Sequence, residues 1–390
     1  MKKAEFYKLA SLFLLWRIFL FVISYSARFI LPYQPSFPYF DTLANYHLPQ
    51  FIYSWANFDG VHYLTIIQQG YFGTGLIQAF FPLFPLLAKF LNLFVGNTLL
   101  SGLLISNLFA FLSLIFFYLL LKEYGISSRF KVLLIYLLFP TSFYLVALYS
   151  ESLFLTLVFA TLYLAKKQHW LLAGILAGLA SATRIVGIAL LPVLFLELFL
   201  AKKISLKNIL ALSLSVTGLS AYMFYLQFEF QDFLYFLHLQ DDFGAGRQEN
   251  LILYPQVVWR YLKILYTARP FDWKYFAYVQ EFAAAILGLI YLTLSSLSYC
   301  RRGKTTTKVE SGEVDLSLIL FSALSFLVPT LTGTFSSLPR YLLACPAIYL
   351  TLNPSPVLRR GKLIGVVWLF LSTVLLVINL VLFIQGYWVA

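Results

Sequence analysis

Apolar runs of about 17 to 25 residues recur along the whole chain, and a helix of that length is what a hydrocarbon core about 30 Å thick requires. In lipid every backbone N–H and C=O must be satisfied within its own segment, so these runs are expected to be α-helices. The alternating pattern of a membrane β-barrel is absent. Charged residues fill only 11% of the 390 positions, against 61% hydrophobic. A soluble domain carries roughly a quarter charged residues, so that class is excluded. The expectation is an all-α, polytopic membrane helical bundle forming one domain over residues 1–390.

The formal net charge of +12 invites a nucleic-acid reading, but the placement of the charge opposes it. Of the 28 Lys and Arg, 18 fall in short gaps between apolar runs. They form the groups Lys2/Lys3/Lys8, Lys122/Arg129/Lys131, Lys166/Lys167, Lys202/Lys203/Lys207, Arg301/Arg302/Lys304/Lys308 and Arg359/Arg360/Lys362. This is the positive-inside pattern, whereas a nucleic-acid footprint would be one continuous basic face. No nucleic-acid partner is expected; the surrounding partners are membrane lipids. The two cysteines, Cys300 and Cys345, do not indicate a disulfide framework. Asn353, the nearest approach to an N-glycosylation acceptor, is blocked by Pro354, which favours a bacterial or archaeal plasma membrane. The first apolar run, from about Leu9 to Leu31, is long enough to be a first span rather than a cleaved signal.

With every basic group inside, the spans run near 9–31, 99–121, 131–149, 152–165, 170–184, 185–201, 207–228, 277–299, 315–333, 338–352 and 362–386. That is about eleven transmembrane helices, with the N-terminus inside and the C-terminus outside. Phe80 to Val95 is apolar but holds Pro82, Pro85 and Lys89, so a helix at the outer interface is expected there. Two long outer loops remain, 32–98 and 229–276; both carry acids and both are rich in aromatics. Loops of that length in a compact protein are usually functional, which puts any chemistry on the outer face.

Within the first loop, Asp59 and His62 stand three apart in Asn57-Phe58-Asp59-Gly60-Val61-His62-Tyr63-Leu64, ahead of a helix stop at Gly70. That spacing puts both on one helix face. Asp59 is either a general base for an acceptor hydroxyl, with His62 orienting it, or merely the helix N-cap. Glu151, in Tyr149-Ser150-Glu151-Ser152, and Arg184, in Thr183-Arg184-Ile185-Val186-Gly187, fall at successive outer turns. They either pair with each other or leave Arg184 free for a phosphate, to which a guanidinium's forked donors are suited. Arg340, in Ser337-Leu338-Pro339-Arg340-Tyr341, is a second phosphate candidate or a snorkelling interfacial arginine. Arg247 ends the polar loop that begins Gln240-Asp241-Asp242 and is a further substrate-binding candidate. No third ligand stands near the Asp pair at a metal-binding spacing, so no metal site is expected. Glu197 is expected to pair with a neighbouring lysine. Nucleotide-binding loops, zinc-protease and hydrolase signatures are absent.

Phe58-Asp59-Gly60-Val61-His62-Tyr63-Leu64, followed by Gly70-Tyr71 and Phe80-Phe81-Pro82-Leu83-Phe84-Pro85, resembles the first-loop signature of the GPI mannosyltransferase II (PIG-V) family. Tyr149-Ser150-Glu151-Ser152, Arg184 to Gly187 and Pro339-Arg340-Tyr341 resemble its later elements, in the same order. The chain has Phe58 where the family usually has Trp, and Ile185-Val186 in place of its Ser-Asn pair. The resemblance implies the GT-C type of fold, with the catalytic acid at Asp59 in the first outer loop. It also implies a polyprenyl- or dolichyl-phosphate sugar donor, typically of mannose, a glycolipid or glycan acceptor, and inverting transfer with no cofactor. A transporter or flippase for lipid-linked saccharides is the alternative, and a non-catalytic subunit of a glycosylation complex is a third possibility.

Overall fold

Residues 1–244, 246–248, 250–302, 315–352 and 361–389 are described by a computed structural model. Its helices, in chain order, are α1 (Lys3–Ser26), α2 (Asp59–Gln69), α3 (Leu83–Val95), α4 (Thr98–Glu123), α5 (Arg129–Leu137) and α6 (Glu151–Lys166). There follow α7 (Trp170–Ser181), α8 (Leu190–Leu200), α9 (Leu206–Phe230, with a 3-10 turn at Leu214–Val216) and α10 (Tyr254–Thr267). The last are α11 (Trp273–Arg302), α12 (Leu316–Thr330), α13 (Leu338–Leu342), α14 (Pro346–Leu352) and α15 (Gly361–Ile384). Short 3-10 turns and single helical turns at Gln50–Tyr53 and Tyr235–His238 complete the path. The described residues contain no strand, so the fold is all-helical.

Among the described residues, five helical segments are long and apolar enough to cross a membrane: Lys3–Phe29, Thr98–Glu123, Leu206–Phe230, Trp273–Leu297 and Gly365–Ile384. The other expected spans fall on shorter pieces. The segment expected to span 131–149 is α-helical only to Leu137. Pro140 has no amide hydrogen to continue the ladder, and a 3-10 turn at Ser142–Leu145 leads the chain on to Glu151. The segment expected at 338–352 divides at Cys345-Pro346 into α13 and α14. The 13 residues of α3 reach only about 20 Å, too short to span, as its prolines suggested. One side of α3 leaves Leu86, Phe90, Leu93 and Phe94 exposed while Phe84 and Ala88 are buried.

The helices pack through small residues. A Cβ on Gly174 of α7 would lie 1.9 Å from the backbone oxygen of Ala211, and one on Gly218 of α9 would lie 2.1 Å from that of Gly178. Only hydrogen fits there, which is how helices in lipid bring their backbones together. At one end of α6, Lys166 joins Glu197 at 2.8 Å and Asp315 at 2.9 Å, while Lys167 meets Glu123 at 2.7 Å. Glu197 thus pairs with Lys166 across helices and not with the lysines that follow it in sequence. At the other end of α6, about 22 Å away along the helix, stands Glu151. The bundle therefore has two polar ends separated by an apolar helix length. Cys345 is free and buried. The side chains of Cys300, Arg301, Arg302 and Lys362, and residues Lys304, Lys308, Asn353, Pro354, Arg359 and Arg360, lie outside what is described.

Candidate active site

The segment before Asp59 is clamped to the stretch that leads into α6. Leu148 donates its backbone N–H to the Trp55 carbonyl at 2.9 Å. Tyr149 Oη donates to the Asn57 carbonyl at 2.9 Å and accepts from the Asp59 backbone N–H at 3.1 Å. Tyr63 Oη donates to Ser150 Oγ at 3.0 Å. Asn57 also donates its side-chain amide to the Phe383 carbonyl at 2.7 Å, tying the loop to the end of α15. Phe58 holds φ 58°, a value that a bulky residue adopts only where its surroundings impose it. That backbone turn starts α2 at Asp59.

Phe58 occupies the N-cap position, and no side chain caps α2. The N-cap reading of Asp59 is therefore incorrect: its carboxylate is directed elsewhere. Asp59 Oδ2 accepts from Arg340 Nη1 at 2.7 Å. Arg340 Nε lies 3.0 Å from Glu151 Oε1, and the same oxygen accepts from Arg184 Nη1. Asp59, Arg340, Glu151 and Arg184 thus form one chain of alternating charge. Glu151 is only 5% exposed in its side chain, and a carboxylate so placed persists where cations pair with it. The Glu151–Arg184 pair is formed, and Arg340, its side chain 12% exposed, is held in the network rather than snorkelling to a surface. Both guanidinium groups also lie against rings: Arg184 over Tyr341 at 5.3 Å, and Arg340 over Tyr144 at 5.3 Å and Tyr149 at 5.4 Å.

Burial pushes the Asp59 carboxyl up, but Arg340's charge and hydrogen bond, with smaller pulls from His62 and Arg247, outweigh it and hold the group below the ordinary aspartate value. Asp59 is accordingly ionised at neutral pH and able to accept a proton. Burial lowers the His62 imidazole against an upward pull from Asp59, which keeps it neutral. His62 stacks on Phe80, with centroids 5.2 Å apart, and its Nδ1 has no partner among the described residues. Glu151 Oε2 has none either. Buried polar atoms of this kind call for a water or a ligand.

A cavity of about 1030 Å³ opens beside the network, and Asp59, His62, Glu151, Arg184, Arg247 and Arg340 all line it. Six side chains from five separate stretches of sequence therefore face one space. The polar loop contributes Gln240 and Asp242 to the rim, with Arg247 Nη1 at 3.3 Å from Gln240 Oε1. The wall also has aliphatic and aromatic side chains, including Ile185, Val186, Val328, Leu331 and Phe236. A space that combines charged and apolar lining suits an amphiphile with an anionic head. Among the described residues, no three His, Cys, Asp or Glu side chains gather to hold a metal ion.

Several contributing residues were not singled out from the sequence. Tyr149 and Tyr341 sit inside the quoted motifs, where their neighbours Glu151 and Arg340 drew attention instead. Glu281, 1% exposed in α11 just behind the cavity, carried a legible signal: an acid within an apolar run. No protein-family model matches the chain, and no curated protein matches it.

Proposed function

We propose that the chain is a membrane glycosyltransferase of the GT-C type, akin to the PIG-V family, moving a sugar, in our reading mannose, from a polyprenyl-phosphate carrier to an acceptor hydroxyl. The observation that carries this reading is the ion-pair chain Asp59–Arg340–Glu151–Arg184, which lines a cavity that also has many apolar side chains in its wall. The same reading takes the bundle as about eleven spans, several of them short or broken and packed against protein. It puts the loop bearing Asp59 on the outer side of a bacterial or archaeal plasma membrane, opposite the Lys166–Glu197–Asp315 end.

The donor's phosphate takes hydrogen bonds from Arg340 and Arg184, whose forked donors match phosphate oxygens. The isoprenoid tail lies along the wall formed by Ile185, Val186, Val328 and Leu331. Asp59 accepts the proton of the acceptor hydroxyl as its oxygen attacks the anomeric carbon. The bond from that carbon to the phosphate oxygen breaks on the opposite face, which inverts the configuration. The lipid phosphate departs with the bonding electron pair, and the arginines stabilise its growing charge. Arg340 cannot give all its donors to both Asp59 and a phosphate. Donor binding therefore loosens the Asp59–Arg340 pair and strengthens Asp59 as a base.

The test is transfer by purified protein in lipid nanodiscs from polyprenyl-phosphate-mannose to glycolipid and glycan acceptors. Product formation supports the reading. Binding of the lipid with no transfer from any donor sugar counts against it, and movement of the intact lipid between leaflets would favour a flippase.

A further inference from the structure

Glu281 lies within a helix long and apolar enough to cross a membrane, yet no step of the proposed transfer uses it. A carboxylate in such a place is costly and is kept where it is paired or has a task. Its two oxygens take hydrogen bonds from two separate parts of the chain, and a third part approaches them. Tyr261 Oη of α10 donates to Oε2 at 2.6 Å, and the backbone N–H of Ser337 donates to Oε1 at 3.3 Å. The indole of Trp388, near the C-terminus, stands close to the carboxylate.

Each of these contacts leads to the cavity. Ser337 precedes α13 with φ 64°, a left-handed conformation that a serine holds only when its surroundings fix it. No side chain of its own caps that helix start, so Glu281 takes up the Ser337 N–H and fixes the turn from which Arg340 projects. Tyr261 Oη reinforces the same turn through Thr334 Oγ1 at 3.2 Å, which in turn accepts from the Ser336 N–H at 3.1 Å. Trp388 meets Phe58 edge-on with centroids 5.5 Å apart, and Phe58 is the residue immediately before Asp59. Both Trp388 and Arg340 line the cavity.

We propose that Glu281 is a positioning residue that ties the turn carrying Arg340 to the Trp388–Phe58 wall beside Asp59, and so sets the distance between phosphate-binding and proton-accepting groups. Its kinetic consequence rests on the transferase reading; its structural consequence does not. A carboxylate serves here because it offers acceptors on both oxygens at once, whereas an amide of the same shape replaces one acceptor with a donor.

The experiment compares wild type with Glu281→Gln and, as a milder variant outside the cavity lining, Tyr261→Phe. Transfer kinetics and hydrogen–deuterium exchange are measured on the full chain in nanodiscs. For Glu281→Gln, kcat should fall on the order of tenfold or more while KM for donor and acceptor stays within about twofold, because misplacement by an ångström is felt mainly in the transition state. Backbone exchange should rise at 334–341 and at 385–389 together and stay unchanged around Lys166 and Glu197. Tyr261→Phe should show the same pattern more weakly. Unchanged kcat in folded Glu281→Gln protein overturns the proposal. So does faster exchange at 334–341 alone, which would make Glu281 only a local cap, or a loss that merely tracks the folded fraction. If wild type transfers no sugar from any donor, the transferase reading falls while the exchange data still decide whether Glu281 couples the two walls.

Discussion

Arg340 Nη1 stands 2.7 Å from Asp59 Oδ2, joining residues 281 positions apart in sequence. In the transferase reading, the base and the phosphate binder hold each other while the cavity is empty of donor. An arginine engaged in this way has a partner to release, and its release changes the strength of the base.

That exchange has a signature in pH. Asp59 must be ionised to act, and its value in the protein is held below the ordinary aspartate value by Arg340 against the upward push of burial. The acid limb of kcat/KM, which reports the free enzyme, should therefore lie below the usual aspartate range. In Arg340→Gln the main counter-charge is gone and only the smaller pulls of His62 and Arg247 oppose burial, so the limb should move up. The same depression stabilises the fold above the ordinary aspartate range, and that stability is lost as pH falls through the lowered value. A pH–rate profile of both proteins checks the sign. An unmoved limb would mean that Asp59 is not the titrating base.

Glu151 separates structural from chemical roles. Its replacement by Gln leaves Arg184 and Arg340 short of a buried counter-charge, and breaking such a pair costs about 3–5 kcal/mol. Thermal unfolding in detergent should show that loss. Glu151→Met combined with Arg184→Met should recover much of the stability, because apolar groups can replace a buried pair. Transfer should not recover, since one phosphate ligand is gone. Recovery of transfer in the double variant would reduce Arg184 to a packing role.

How far the sequence disclosed this arrangement depends on whether the signal was local. The helices were legible because lipid forces every apolar run to satisfy its own backbone. Asp59, His62, Glu151, Arg184, Arg247 and Arg340 were each marked within short motifs or polar loops, and all six meet at one cavity. Their pairing was not legible: the contact between Asp59 and Arg340 depends on how distant segments pack, and no local spacing encodes it. The true N-cap, Phe58, was hidden for a related reason. Its φ of 58° is imposed by the Tyr149 and Asn57 clamp, not favoured by its own side chain. Glu281 stands in a run whose hydropathy reads simply as a span, which hides its pairing. The break after Leu137 lay inside an apolar stretch where Pro140 was the only local mark.

The close helix contacts make a sharper packing prediction. Gly218→Ala puts a methyl 2.1 Å from the Gly178 carbonyl and 2.7 Å from Ala182, the residue two before Arg184. It should lower the unfolding temperature and the folded yield by an amount typical of overpacking, about 1–3 kcal/mol. Gly75→Ala, where nothing lies within 4 Å, should leave both unchanged. Thermal shift of the two variants side by side checks the contrast, and equal behaviour would mean that α7 and α9 do not meet as closely as described.

In the transferase reading, Asp59 accepts the acceptor's proton as the sugar is transferred. The direct measurement is transfer from polyprenyl-phosphate-mannose by wild type and by Asp59→Asn, with folding and donor binding monitored in both. Wild type should form product, and the variant should fall about 10²–10⁴-fold at retained donor binding. Equal transfer by the two proteins would contradict the assignment of Asp59 as the base, and absence of transfer by wild type from every donor sugar would contradict the enzyme itself.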